Sequence, residues 1–136
     1  MKNIIKILFF GSCILCFSRL SAQLDTLNYV KQFEVNKNQY IGKSFSMLLN
    51  DMTLIQPKTI WSAPHGRIKT ITPASSLNFV NKQYVTRNSI KLRILWQEPI
   101  SRDQTKYYEQ KNQFSFTDDE KSFYSNKIVK DIKVYR

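Results

Sequence analysis

Cysteine, glycine, proline and histidine are all scarce in this sequence, which has two, three, four and one of them in 136 residues. Because glycine and proline are rare and no tract is repeated, the composition is not that of a collagen-like or disordered chain. Protein zinc sites usually need four cysteine or histidine ligands, so the sequence predicts no metal centre and no other cofactor. The motifs of zinc metalloproteases, serine hydrolases and P-loop nucleotide-binding proteins are also absent.

The chain also lacks a long apolar run. The most apolar stretch, 7–17, has 11 residues, whereas a helix that spans a membrane needs about 20. Lys2 and Lys6 precede this stretch, and the small residues Ser21 and Ala22 follow it. This order of positive, apolar and small residues predicts a secretory signal peptide at 1–22, cleaved after Ala22, and a single domain at 23–136.

Cys13 and Cys16 both fall inside the predicted signal peptide. A lipoprotein, anchored through Cys13, is the alternative, because small residues precede this cysteine. Phe10 is bulky where such motifs usually have leucine, and the residues after Cys13 are apolar rather than a polar tether. Cleavage after Ala22 is therefore the favoured interpretation, and it leaves an exported chain, periplasmic or secreted, without cysteine and without disulfides.

Acidic residues are few. Three of the 21 basic residues, Lys2, Lys6 and Arg19, precede residue 23, so 18 remain against 10 acidic residues, a net charge of +8. Such an excess favours anionic partners, such as an acidic protein or an envelope polyanion. The alternative is that the net positive charge only keeps a small domain soluble. The lysines and arginines are scattered along the chain, which favours this alternative. No nucleic-acid partner is expected for an exported protein.

Two helices are predicted near the start of the mature chain. Asp25 and Thr26 can cap a first helix, which the polar residues 36–38 end. Ser44 can cap a second, in which apolar residues recur at the spacing of one helical face: Phe45, Leu48, Leu49 and Met52.

Strand patterns dominate the middle of the chain. The segments 58–63 and 67–72 predict a hairpin, with a second turn at 73–76 and a short strand at 77–80. The clearest pattern is SIKLRILWQEP (89–99), which predicts a strand ended by Pro99. Its apolar side chains alternate with polar ones, so one face is predicted to be buried: Ile90, Leu92, Ile94 and Trp96.

Helix and strand signals return at the end. Ser101 can cap a polar, helical excursion at 101–112, and Thr117 with Glu120 forms an S/T-x-x-E capping box. A terminal strand follows, with Ile128, Ile132 and Val134 predicted on one face and Asp131 and Lys133 on the other. The whole pattern predicts an α+β domain, a small antiparallel sheet of three to five strands with helices packed on one face.

Four segments resemble small exported proteins of Bacteroidetes-type bacteria with no established activity. They are SAQ (21–23), YIGKSFSMLL (40–49), LWQEP (95–99) and NKIVKDIKVYR (126–136). The resemblance implies export, and it brings no catalytic, metal-binding or cofactor-binding residues with it.

The sequence therefore favours a non-enzymatic binding or interaction module of the envelope or the extracellular medium. A small hydrolase of envelope material with an unrecognised carboxylate site, and an immunity or inhibitor-type protein, are the alternatives. His65, the single histidine, is interpreted as a turn residue because no catalytic partner is recognisable nearby. The only binding candidates are Lys91, Arg93 and Lys133, which the alternation places on the open face of the sheet.

Overall fold

The computed structural model describes residues 25–64 and 66–136. The predicted signal peptide, the cleavage site after Ala22, both cysteines and His65 lie outside the described residues. In chain order the elements are α1 (Thr26–Val35), a 3₁₀ turn (Lys37–Gln39), α2 (Phe45–Asp51), β1 (Thr59–Ala63), β2 (Ile71–Asn78), a second 3₁₀ turn (Lys82–Tyr84), β3 (Lys91–Ser101), α3 (Arg102–Lys111), α4 (Asp118–Tyr124) and β4 (Val129–Tyr135). None of the helices in these ranges has the length and apolarity to cross a membrane.

The four strands form one antiparallel sheet in the order β1-β2-β3-β4, and the helices pack on one of its faces. Trp96 of β3 lies at the centre of that contact. The Phe45 ring of α2 meets it edge-on at 5.3 Å, and the Tyr124 ring of α4 stacks on it at 5.5 Å. The predicted α+β class, with helices on one face of a small antiparallel sheet, is confirmed.

The core between the sheet and the helices follows the predicted patterns closely. In β3, Leu92, Ile94 and Trp96 are buried as expected. Ile90, which directly precedes the strand, is only half-buried at the edge of the core. The apolar stripe of α2 is buried throughout, comprising Phe45, Leu48, Leu49 and Met52. A period of two in the strand and of 3.6 in the helix therefore identified the buried side chains correctly.

Pro73 does not mark a turn between two strands, contrary to the sequence interpretation. Residues 71–78 form the single strand β2, and the register with β3 shifts between Thr72 and Ala74. Pro73 lies at this irregularity, where the ladder does not require the backbone N–H that proline lacks. The predicted turn at 73–76 and separate strand at 77–80 are thus wrong, and the strand predicted at 67–72 begins only at Ile71.

Pro99 does not end β3 either. The strand continues to Ser101, because pairing with β2 stops at Leu95 and resumes at Ile100. Pro99 falls inside the interval 96–99, which has no paired residue on β2. Proline is tolerated there for the same reason as in β2.

The predicted inward face of β4 is wrong at one residue. Leu95 pairs with Asp131 but Trp96 pairs with Val129, so an irregularity leaves Lys130 as an extra residue. Val129 is therefore buried in place of Ile128, which is 38% exposed. Beyond the irregularity the prediction is correct: Ile132 and Val134 are buried, and Asp131 and Lys133 lie on the opposite face.

The helix caps agree with the sequence. The Asp25 carboxylate accepts hydrogen bonds from the first backbone amides of α1, and Thr117 and Glu120 form both halves of a capping box at α4. Ser44 and Ser101 occupy N-cap positions, but their side chains make no capping hydrogen bond. The acidic residues around Glu120 are thus explained by the start of a helix.

The outer edge of β1 is occupied by other parts of the chain. The Ile60 N–H donates to the Phe114 carbonyl at 3.0 Å, and the Phe116 N–H donates to the Lys58 carbonyl at 2.9 Å. The next amide along this edge, that of Ser62, donates to the Glu109 carboxylate at 2.8 Å. Edge pairing with another chain is therefore hindered at β1.

The edge of β4 is covered at its start by the segment before α2. The Gly42 N–H donates to the Val129 carbonyl at 2.8 Å, and the Val129 N–H donates to the Lys43 carbonyl at 2.9 Å. Gly42 has φ +77°, a conformation that favours glycine. Farther along, Lys31 of α1 donates to the Val134 carbonyl. With both edges engaged, the face opposite the helices is the remaining surface of the sheet. Lys133 and Tyr135 are exposed on it, whereas Thr59 and Asn78 are buried.

Candidate binding face

Strand register assigns side chains to the two faces of the sheet. We call the side covered by helices the inner face and the opposite side the outer face. Two cross-strand rows lie on the outer face, comprising Trp61, Ser76, Arg93 and Lys133 in one and Thr59, Asn78, Lys91 and Tyr135 in the other. All three sequence candidates, Lys91, Arg93 and Lys133, are in these rows. Helix α3 packs on the inner face, where Thr105 meets Thr72 at 2.9 Å.

Arg93 and Lys133 are direct cross-strand partners on the outer face. Like charges directly opposite each other in a sheet repel and are destabilising. Among the residues that the structure describes, neither side chain forms an ion pair with a carboxylate. No direct ion pair therefore offsets this repulsion within the described part of the protein.

Lys91 has a structural role that the sequence interpretation missed. Its ammonium group donates to the carbonyl oxygens of Arg87 and Ser89, each at 3.0 Å, and lies near that of Thr86 at 3.4 Å. It also lies 5.9 Å from the centre of the Tyr135 ring. Lys91 thus holds the loop before β3 in place, whereas Arg93 and Lys133 make no such contacts with residues 25–64 or 66–136.

The carboxylate of Asp131, which lies two residues before Lys133 on the same face, is already engaged. It lies 2.7 Å from the ammonium group of Lys37, which reaches it from beyond α1. The hydrogen bond from Lys37 holds the pKa of Asp131 below its ordinary value, and the charge of Lys133 acts in the same direction. Asp131 therefore stays ionised at neutral pH and pairs with a lysine outside the sheet.

An apolar groove of about 340 Å³ crosses the outer face. It is lined by Trp61, Ser76, Asn78, Val85, Lys91 and Tyr135. The Trp61 ring stacks on the Phe114 ring at 4.0 Å, and the ammonium group of Lys82 lies 5.1 Å from the Phe114 ring. Trp61 is therefore held in a fixed orientation by aromatic stacking.

Unpaired polar atoms are concentrated on the outer face. In residues 25–64 and 66–136, five buried side-chain atoms have no hydrogen-bond partner, and four of these belong to the two outer rows. The four are Thr59 Oγ1, Trp61 Nε1, Asn78 Oδ1 and Arg93 Nε. A buried polar group without a partner costs about 1–3 kcal/mol, so four of them on one face call for a ligand or ordered water to satisfy them.

The distribution of acidic residues supports the same surface. No aspartate or glutamate occurs in 52–97, although this stretch contains seven lysines and arginines. It includes β1, β2 and the part of β3 that forms the two outer rows. The basic residues alone are scattered along the chain, so the informative signal is where acidic residues are missing.

The buried carboxylate of the inner face, Glu109, has structural partners. It lies 2.8 Å from the Arg102 guanidinium and accepts the Ser62 amide on its other oxygen. Tyr124 is buried nearby, and burial raises the pKa of its hydroxyl. Within the described residues no group of three histidine, cysteine, aspartate or glutamate side chains is placed to hold a metal ion.

A second cavity, of about 490 Å³, lies between α2 and α4. Its lining includes Gln56, Asn50 and Lys121. The Gln56 amide donates to the carbonyls of Leu49 and Met52, so it completes the end of α2 rather than pointing free into the cavity. The outer face therefore remains the stronger candidate.

No family of known proteins, no curated protein sequence and no solved structure matches this chain.

Proposed function

We propose that this protein is a non-enzymatic binding module that holds an anionic partner on the outer face of its sheet. The observation that carries the proposal is the direct opposition of Arg93 and Lys133 without a paired carboxylate in the described residues. An anion placed between the two cations would replace their repulsion by attraction. The outer rows supply cations, hydroxyls, an amide and aromatic rings, which suit binding rather than acid–base catalysis.

The two cations suit different parts of this task. The planar guanidinium of Arg93 can bind a carboxylate or phosphate through two parallel hydrogen bonds from its terminal nitrogens. Lys133 is exposed and can follow a ligand of variable shape. Because 52–97 has no acidic residue, the surrounding surface adds attraction at longer range.

The partner belongs to the anionic material outside the cytoplasm, either an acidic protein or an envelope polyanion. Export is part of the proposal, and its support is the lysine, apolar and small-residue order of 1–22. The intact mass of the exported protein should correspond to a chain that starts at Gln23. A diacylglycerol adduct on Cys13 would instead establish a lipoprotein.

Neutralising the two opposed cations tests the binding surface. In the double variant Arg93→Gln, Lys133→Gln, affinity for an acidic polymer such as polyglutamate should fall about tenfold or more at low salt, since each charge-assisted contact contributes about 1.5–3 kcal/mol. The matched control is Lys43→Gln, Lys106→Gln, which removes the same charge from two exposed lysines outside the sheet.

The control should retain most of the affinity of the unchanged protein. In the unchanged protein, binding should weaken steeply with added salt, because exposed charges are screened beyond about 8–10 Å at physiological ionic strength. Equal losses in the two double variants would show that only net charge matters. Unchanged affinity in the outer-face variant, with the fold intact by circular dichroism, would exclude this surface.

A further inference from the structure

We propose that the groove on the outer face binds a saccharide ring whose acidic group is held by Arg93 and Lys133, so that the ligand is an acidic saccharide of the uronic-acid type. This inference rests on the proposed anion-binding function and goes beyond it by naming the ligand class. Two features of the groove lead to it, its aromatic walls and the hydrogen-bonding groups between them. The third is the cation pair Arg93 and Lys133, which does not line the groove but continues the cross-strand row of Ser76.

The walls are Trp61 on β1 and Tyr135 on β4. Sugar rings present apolar C–H faces that pack against aromatic rings, which combine an apolar face with a polar tip. The Tyr135 hydroxyl lies 3.5 Å from Ser76 Oγ on β2, so this side chain reaches across the sheet above β3. The groove volume of about 340 Å³ lies at the small end of the range for small-molecule sites, about 300–1,000 Å³.

The polar groups between the walls suit hydroxyl-rich ligands. Asn78 is 1% exposed, lines the groove, and has no partner for its side-chain oxygen within the described protein. The Ser76 hydroxyl lies beside it, and its contact with Tyr135 is at the long limit of a hydrogen bond. An amide and two hydroxyls can both donate and accept, as ring hydroxyls require.

The charges determine which saccharide fits. Arg93 is the cross-strand partner of Ser76, so a cation follows the hydroxyl directly along the same row, and Lys133 comes next. In the proposed pose, a ring seated between Trp61 and Tyr135 extends its acidic substituent out of the groove along this row, toward the two cations. A neutral sugar would leave the opposed pair uncompensated.

An acidic peptide fits the same charges less well. Extended peptides usually bind a sheet by adding a strand to its edge, where main-chain hydrogen bonds supply affinity. Here the edge of β1 is taken by the 114–116 segment and by Glu109, and that of β4 by Gly42 and Lys43. The face of the sheet offers a peptide no such main-chain partners.

The test compares three ligands by calorimetry at low ionic strength: tetragalacturonate, maltotetraose as a neutral saccharide, and N-acetylated, amidated tetraglutamate as an acidic peptide. We expect tetragalacturonate to bind more tightly than either of the others. The variant Tyr135→Ala removes one aromatic wall of the groove. Because the Tyr135 side chain is 40% exposed, folding should be unaffected. It should weaken tetragalacturonate binding about tenfold and leave tetraglutamate binding unchanged.

The matched control is Tyr107→Ala, which removes another exposed tyrosine, on α3, and should change neither affinity. Equal binding of tetragalacturonate and tetraglutamate, with no effect of Tyr135→Ala, would overturn the saccharide inference and leave the anion-binding surface standing. If maltotetraose binds as tightly as tetragalacturonate, the acidic group of the saccharide has no role in binding, and the inference of an acidic ligand is overturned. Failure of both acidic ligands to bind would overturn the inference and the proposed function together.

Discussion

The two faces of the sheet are built by the same four strands, yet they differ in how their polar groups are paired. Each face has one tryptophan. On the inner face the Trp96 indole N–H donates to Ser75 Oγ at 3.1 Å, whereas on the outer face the buried Trp61 indole nitrogen has no partner in the described protein. The inner tryptophan is thus fully integrated into the core, and the outer one retains an unused hydrogen-bond donor.

The same contrast holds for the charged groups. Glu109 on the inner side is paired with Arg102 and a backbone amide, while Arg93 and Lys133 on the outer side face each other. Stability is therefore concentrated on the inner face, and the outer face keeps groups that a ligand can satisfy. Substitutions on the two faces should separate these properties.

The largest effect on stability is expected for Leu92→Ala. Leu92 is fully buried near the start of β3, so truncation leaves a cavity and should lower the free energy of unfolding by about 2–5 kcal/mol. Urea denaturation measures this loss. The outer-face control Lys133→Ala, which removes one of two opposed cations, should change the free energy of unfolding by less than about 0.5 kcal/mol in either direction. Similar losses for the two variants would remove the distinction between the faces.

Glu109→Ala should have the next largest effect. Glu109 is 7% exposed, and its removal leaves the Arg102 guanidinium and the Ser62 amide without their partner, at a cost of about 1–3 kcal/mol. Glu98→Ala removes an exposed carboxylate of β3 and serves as the matched control. If the unfolding midpoints of the two variants agree, the buried pair has no structural importance.

Asp131→Asn should have a smaller, pH-dependent effect. The folded-state pKa of Asp131 is lowered, chiefly by Lys37, so its contribution is present above its unfolded value of 3.8 and is lost as the pH falls through the folded value. At neutral pH the variant should be less stable by about 0.5–1 kcal/mol. Urea unfolding should show this difference shrinking below about pH 4, and a difference that stays constant there would argue against the ion pair.

Lys133→Glu should have the smallest effect on stability and a large effect on binding. It places a carboxylate opposite Arg93, so the cross-strand pair changes from repulsive to attractive and the free energy of unfolding should rise by about 0.2–1 kcal/mol. Affinity for tetragalacturonate should fall at the same time. Thermal unfolding and calorimetry on one preparation measure both changes, and lower stability combined with retained binding would contradict the account.

Much of the fold could be predicted because its signals are local. The alternation around Leu92 identified the central strand, and Thr117 with Glu120 identified the start of α4. The errors arose at Pro73, Pro99 and Ile128, all of which lie at or beside irregularities of the strand ladder. Whether a proline ends a strand or sits in a bulge depends on the neighbouring strand, which the local sequence does not contain.

The candidate site could be predicted only in part. The alternation of β3 and β4 was sufficient to place Arg93 and Lys133 on one face, but the loop contacts of Lys91 depend on the path of residues 86–89. The groove could not be predicted, because Trp61, Asn78 and Tyr135 come from three strands that only the tertiary fold brings together. The absence of aspartate and glutamate from 52–97 was visible in the sequence, and it would have indicated the basic outer face before the structure was known.

The most direct test of the account uses the two tryptophans as reporters of the two faces. In a ¹⁵N–¹H correlation spectrum each indole N–H gives its own signal, assigned with Trp61→Phe and Trp96→Phe. During titration with tetragalacturonate the signal of Trp61 should shift progressively and saturate, while that of Trp96, bonded to Ser75 inside the core, should stay in place. A shift of Trp96 without Trp61, or a saturating interaction detected by calorimetry that moves neither signal, would contradict binding on the outer face.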